Sequence, residues 1–285
     1  MGELTRWQIG NVRITKVYET EVHWPWRALV PAVTPELLEQ TPWMAPHFVD
    51  GDGKMILSMH ALVIESQGRT IVVDTCIGND KVRPTRGFNG LQTDFLQRLT
   101  DAGFPPEQVD TVFCTHLHVD HVGWNTKLVD GRWVPTFANA RHLFARTEYE
   151  HWQANPEPEI FGDVFGDSVA PVVEAGLADF VDIDHRITDE VWLEPTPGHT
   201  PGHCSVHVSS QGLDAVITGD MTHSPIQFAY PLTSAADTDS AMADRTRQAF
   251  VERYVGTPTL IIGTHFGGPT AGRIVRDGDA LRFDC

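Results

Sequence analysis

Thr111-Val-Phe-Cys-Thr115-His116-Leu-His118-Val-Asp120-His121 is the stretch from which the fold can be read. Its first half is short, apolar and β-branched, which predicts a strand. Its second half is polar and crowded with imidazole, which predicts a loop held at the strand's end. Histidines two apart in extended chain point the same way, so His116 and His118 can reach one ion at about 2.0–2.1 Å if that ion is zinc. Asp120 and His121 offer donors in another direction, as a second ion requires.

One His-rich hexapeptide can arise by chance in a chain with 14 histidines, so the test is whether further ligands occur at similar places. Pro195-Thr-Pro-Gly198-His199-Thr-Pro-Gly202-His203 puts a histidine in a turn shaped by glycine and proline. Thr218-Gly219-Asp220 ends the apolar run from Ala215, and Gly263-Thr264-His265 ends Leu260-Ile-Ile. Thr70-Ile-Val-Val also ends on a carboxylate, Asp74.

Working outward, Leu91, Phe95, Leu96 and Leu99 have helical spacing, which predicts a helix over 91–102 between the strands at 70–75 and 111–115. Further strands are expected at Arg141–Ala145, Glu190–Leu193, Cys204–Val208, Ala215–Thr218 and Thr259–Ile262, and helices over 147–154 and 167–178. This mixture predicts an α/β protein whose 285 residues form one unit. Residues 22–54 break the pattern with Trp24-Pro-Trp26 and Pro42-Trp43-Met-Ala-Pro46, and are expected to be a lid, an oligomer contact or a loop over the core.

The formal net charge of −17, with no cluster of Lys and Arg, argues against nucleic acid as a partner. Neither a membrane-length apolar run nor a leader-like start is present in the sequence, so a cytoplasmic protein is expected. The cysteines, Cys76, Cys114, Cys204 and Cys285, form no CxxC pair, which excludes a thiolate zinc motif of that kind. A homodimer is expected because two-fold pairs are the commonest assemblies.

Taken in order, Asp74, the 116–121 motif, His199, Asp220 and His265 resemble the five motifs of the metallo-β-lactamase superfamily. The resemblance implies an αβ/βα four-layer sandwich of two mixed sheets flanked by helices. It also implies that His116, His118 and His199 bind one metal ion, that Asp120, His121 and His265 bind a second, and that Asp220 bridges them. Zinc suits this donor set best, although iron and manganese accept similar ligands. Asp74 would orient the ligand loop through hydrogen bonds. His203 repeats the Pro-Gly-His pattern but is expected to be structural, and His60, His142, His151, His185 and His207 to be surface or packing residues.

Two ions sharing a solvent molecule would generate a hydroxide near neutral pH, with Asp120 or Asp220 relaying its proton. The stretches 115–125, 219–227 and 264–272 are similar to the branch holding N-acyl homoserine lactonases, 4-pyridoxolactonase and methyl parathion hydrolase. That resemblance implies a dinuclear hydrolase of a small, partly hydrophobic lactone or ester. Its rivals are an organophosphate or other xenobiotic hydrolase and a single-iron oxygenase of the persulfide dioxygenase type. The lactonases of this branch carry a tyrosine three residues after the bridging aspartate, where this chain has His223, expected here to hydrogen-bond the substrate. Trp26, Trp43, Phe88 and Phe228 are the expected pocket walls.

Overall fold

Two mixed sheets pack face to face, as seen in a computed structural model that describes residues 4–285. The first sheet has seven strands, in the spatial order Arg6–Ile9, Val12–Trp24, Met55–Ser66, Arg69–Val73, Thr111–Phe113, Arg141–Ala145 and Ala178–Val181. Its first four strands are antiparallel, and from Arg69–Val73 onward each neighbour runs parallel. The second sheet orders Val191–Pro195, Cys204–Ser210, Leu213–Ile217, Leu260–Ile262, Ala271–Asp277 and Ala280–Asp284, with one parallel pair, Leu213–Ile217 beside Leu260–Ile262.

Side-chain alternation sorts each strand into two faces. Leu62, Ile64, Ile71, Val73 and Phe113 meet Leu193, Val206, Val208, Ala215 and Ile217 across the gap between sheets. The intervening Ala61, Val63, Val72 and Val112 turn to a second apolar layer on the outer face. There helices Phe95–Asp101 and Arg146–Ala154 cover the first sheet, while Ser240–Tyr254 covers the second. Burial on both faces explains the unbroken apolar run Ala61-Leu-Val-Ile64. This is the sandwich of two mixed sheets flanked by helices that the motif order implied. Among the described residues no helix is long and apolar enough to cross a membrane.

Three local expectations change. The helix expected over 91–102 begins only at Phe95, because the preceding residues pair with a neighbouring loop: Asp80 N–H donates to Leu91 O (3.1 Å) and Thr93 N–H to Asn79 Oδ1 (2.7 Å). The helix expected over 167–178 is a wide π turn, Phe165–Val169, followed by Ala170–Glu174, and Ala178 already starts a strand. Pro171 has no N–H to give to the carbonyl of Asp167, four residues earlier; Lys81 Nζ (2.9 Å) and Thr126 Oγ1 donate to that carbonyl instead. Within 22–54, Val22–Trp24 completes the long strand Val12–Trp24. The remainder folds over the core as short turns whose Val30, Met44 and Phe48 are buried.

Glu19 shows how tightly the turn after Asp74 is held. Its buried carboxylate accepts from Ile77 N (2.9 Å), Gly78 N (3.2 Å) and Trp124 Nε1 (2.6 Å). Burial raises its pKa, and these donors only partly offset that. The same turn presses on Gly123, where a Cβ would sit 1.8 Å from Ile77 O. Glu19→Ala strands three donors and is expected to lower the unfolding free energy by about 2–4 kcal/mol in urea titration. A loss below about 0.5 kcal/mol would show that water replaces the carboxylate freely.

Candidate metal centre

The side chains singled out in the sequence leave strand or turn ends at one edge of the sandwich. Asp74 follows Arg69–Val73, the 116–121 loop follows Thr111–Phe113, Asp220 follows Leu213–Ile217, and His265 follows Leu260–Ile262. These are carboxyl ends of parallel strands, where ligands gather in α/β sheets. His199 comes from the turn between Val191–Pro195 and Cys204–Ser210. Two backbone hydrogen bonds tie the sheets together here, Cys204 N to Thr115 O and Ser58 N to His265 O, each 3.0 Å.

Two groups of ligand atoms result, His116, His118, His199 and Asp220 in one and Asp120, His121 and His265 in the other, each within 4.8 Å. His118 Nδ1 lies 2.9 Å from His116 Nε2 and 3.0 Å from His199 Nε2, and His121 Nε2 lies 3.2 Å from His265 Nε2. Outward partners assign the protons of four of these rings. His121 Nδ1–H donates to Asp74 (3.0 Å), His199 Nδ1–H to Asp237 (3.2 Å) and His265 Nδ1–H to the Ser58 carbonyl (3.3 Å). The Thr115 hydroxyl gives its proton to Asp74 and so accepts from His116 Nδ1–H (3.2 Å). The inner nitrogens of these four thus face the centre, as bare lone pairs on His116 and His199 and as seats for a proton or another cation on His121 and His265.

Facing lone pairs in a buried space repel one another, and a divalent cation is the group that relieves them. The donor set of neutral imidazoles and carboxylates fits such an ion. Asp220 touches both groups: Oδ2 is 3.3 Å from His121 Nε2 and 3.6 Å from His199 Nε2, and Oδ1 is 3.0 Å from His265 Nε2. Asp120 reaches His121 and His265, each at 3.6 Å.

Electrostatics agree with the geometry. Burial, then neighbouring imidazoles, push His116 and His118 well below the ordinary histidine range, and burial takes His199 to about 4, so all three are neutral at pH 7. Burial also opposes charge on His121, but Asp220, Asp74 and Asp120 raise it well above that range, and Asp220 raises His265. The second group is thus the more negative environment, and what stabilises a proton there stabilises a cation.

Around the centre stand groups that no local motif announced. Asp237 joins His199 to Arg247 (2.6 Å), whose Nε donates to the Met221 carbonyl beside Asp220. Burial works against the Asp237 charge, yet His199 and Arg247 hold its pKa at about 2. Glu148 accepts from Leu117 N (3.1 Å), between two metal-facing histidines, and from Gly202 N (2.9 Å), in the His199 turn. His203 is structural: its Nε2 accepts from Asp220 N (2.9 Å) and its Nδ1–H donates to Thr196 Oγ1 (2.9 Å). His60 and His142 are buried, and His151, His185 and His207 are half-buried, all outside the ligand groups.

The pocket over the centre has a volume of about 100 Å³ and is walled by Trp24, Leu29, Met59, Phe88 and Phe161. Phe88 lines it, its ring 5.4 Å from that of Trp24. Trp26, Trp43 and Phe228 do not line it. Pro25 ends the strand, so Trp24 keeps the pocket side while Trp26 turns into the core and donates its indole N–H to Gly53 O. Trp43 packs on the same core, and Phe228 stacks on Phe250 inside it. His223 lines the pocket, its Nε2 3.1 Å from Asp220 Oδ2 and its buried Nδ1 without a partner among the described residues.

A profile of the metallo-beta-lactamase superfamily matches residues 58–275. The chain belongs to that superfamily. It is a hydrolase of that superfamily. An N-acyl homoserine lactonase of a Bacillus sp is 25% identical over 192 residues, which span 61% of this chain and 70% of that protein. N-acyl homoserine lactonase AiiA of Bacillus thuringiensis subsp. kurstaki is 25% identical over 178 residues, 58% of this chain and 64% of its own length. Among solved structures, the hydrolase AbOPH has a TM-score of 0.80 at 24% identity, covering 100% of this chain and 97% of its own. AidC, a dizinc quorum-quenching lactonase with the product N-hexanoyl-L-homoserine, has a TM-score of 0.76 at 20% identity, covering 98% and 96%. At these identities the solved structures show a shared fold.

Asp237→Asn keeps the shape of the side chain but removes the charge behind His199. It is expected to weaken the first zinc equivalent about 10- to 100-fold in competition with a chromophoric chelator. Unaltered affinity for both equivalents would remove Asp237 from the metal site's support.

Proposed function

We propose that this protein hydrolyses a small, uncharged, partly apolar lactone or ester with two zinc ions. The observation that carries this reading is the pair of ligand groups sharing Asp220, with imidazole nitrogens facing inward from both. His116, His118 and His199 would hold one ion, Asp120, His121 and His265 the other, and Asp220 both. Ions held there supply positive charge that polarises the attacked carbonyl and acidifies water. Seven convergent donors in two groups favour two ions over the single iron of an oxygenase.

The chain's own residues then divide the remaining work. Asp120 lines the pocket beside His121 and His265, where it can take the proton that the attacking water gives up. His223 Nε2–H donates to Asp220 and steadies the shared carboxylate. With Nε2–H given to Asp220, Nδ1 is left as an acceptor, where a tyrosine hydroxyl would donate. Away from the His and Asp groups that face the centre, the walls are apolar, Trp24, Leu29, Leu57, Met59, Phe88 and Phe161, and suit an uncharged substrate.

The test is a screen of zinc-, manganese- and iron-loaded protein against lactones, aryl esters and phosphotriesters. Lactone hydrolysis that chelation abolishes and zinc restores is the expected result. Consumption of oxygen with one iron per chain would replace the hydrolytic reading. On the substrate found, Asp220→Asn should lower kcat/KM at least about 100-fold with loss of bound metal, and His223→Ala about 10- to 100-fold with metal retained. Full kcat/KM in His223→Ala would reduce that residue to packing.

A further inference from the structure

Residues 81–90 form a loop over the pocket, closed at its mouth by Gly90 N–H donating to Lys81 O (2.8 Å) and Asp80 N–H to Leu91 O (3.1 Å). Inside it, Phe88 N–H donates to Thr85 O and Arg83 N–H to Asn89 Oδ1, both at 2.9 Å. From Val82 to Asn89, the hydrogen bonds that leave the loop come, among the described residues, from Arg83 alone. Yet this loop carries two side chains that line the pocket, Thr85 and Phe88.

Arg83 ends on Asp167, its two terminal nitrogens donating to the two carboxylate oxygens at 2.6 and 2.8 Å. Lys81 reaches the same residue. Its Nζ donates to the Asp167 carbonyl (2.9 Å) and lies 3.5 Å from Oδ1 and 3.5 Å from the centre of the Trp133 ring. All three charged side chains are buried, and a buried ion that loses its partner is strongly destabilising. Two cations therefore depend on one carboxylate. The wide turn Phe165–Val169 makes both acceptors of Asp167 available: Pro171 leaves the carbonyl free for Lys81, and the carboxylate meets Arg83. None of the three belongs to the ligand groups or lines the pocket.

We infer that Asp167 is a positioning residue for substrate binding: through Arg83 and Lys81 it seats the 81–90 loop, and with it the Phe88 ring, on the pocket. It does so without touching substrate. The inference rests on the hydrolase reading above, which puts the substrate in that pocket. Loss of the seat should free Phe88 from Trp24 and weaken binding of an apolar substrate, while the metal centre and its chemistry remain.

Asp167→Asn in the zinc-loaded full chain leaves two buried cations facing a neutral amide. Trypsin cleavage after the exposed Arg86 should then run at least about 10-fold faster, since cleavage follows the open population of the loop. Zinc affinity should be unchanged. With γ-octalactone and phenyl acetate as probes, KM should rise about 10-fold and kcat stay within about twofold. Calorimetric affinity for hexanoate, which needs no turnover, should fall about as much as KM rises. Both effects should vanish in a Phe88→Ala background, because Asp167 acts through that ring. Arg83→Met removes a charge instead of stranding one, and serves with the same expectations if Asp167→Asn prevents folding. An unmoved cleavage rate, a parallel fall in kcat and zinc affinity, or an undiminished effect in Phe88→Ala would overturn the inference. Faster cleavage and weaker hexanoate binding with both probes inert would uphold the role of Asp167 and sink the lactone and ester reading.

Discussion

The inward turn of imidazole nitrogens toward one shared, buried centre is the constraint on which the rest of the structure depends. Four of the rings are turned by a hydrogen bond on the far nitrogen, so their proton is committed outward and the lone pair inward. Such an arrangement is unstable in a free loop, which would rotate the rings to water. Here the rings cannot rotate, because Asp74, Asp237, Thr115 and the Ser58 carbonyl are themselves fixed in strands or packed turns. The sandwich supplies that rigidity by bringing strand ends of both sheets to one edge.

Buried carboxylates do most of the joining. Glu19 holds the turn after Asp74, Asp74 holds Thr115 and His121, Asp237 holds His199 and Arg247, and Glu148 spans two ligand turns. Each accepts from several donors, which is what allows a carboxylate to remain in a space from which water is excluded. Part of the acidic excess seen in the composition is therefore internal scaffolding, alongside the charge that faces solvent.

The ligand candidates were legible because each sits in a short local pattern: a strand that stops at His116, a turn around His199, an apolar run that ends at Asp220 or His265. Asp74 was legible for the same reason. Asp237, Arg247 and Glu148 were not, since nothing near Asp237 in Ala235-Ala-Asp-Thr-Asp marks it, and Glu148 resembles any acidic residue in the first turn of a helix. Their importance comes from contacts across more than thirty positions, or ten for the pair Asp237 and Arg247, with no periodicity to betray them. The pocket walls were half legible: Trp24 and Trp26 are chemically alike, and only the strand end at Pro25 decides which one faces the site. Likewise the missing N–H of Pro171 was visible, but the Lys81 ammonium that takes over its role was distant in sequence.

Glu148 has a dynamic consequence. One carboxylate accepts from the amides of Leu117 and Gly202, which belong to turns anchored in different sheets. Neither amide can be released to solvent without disturbing the acceptor of the other. Opening of the edge is thus a single cooperative event, and the two amides should share one opening free energy in hydrogen exchange, set by the separation of the sheets at this edge. A protein built this way opens the metal end of its sandwich as a unit.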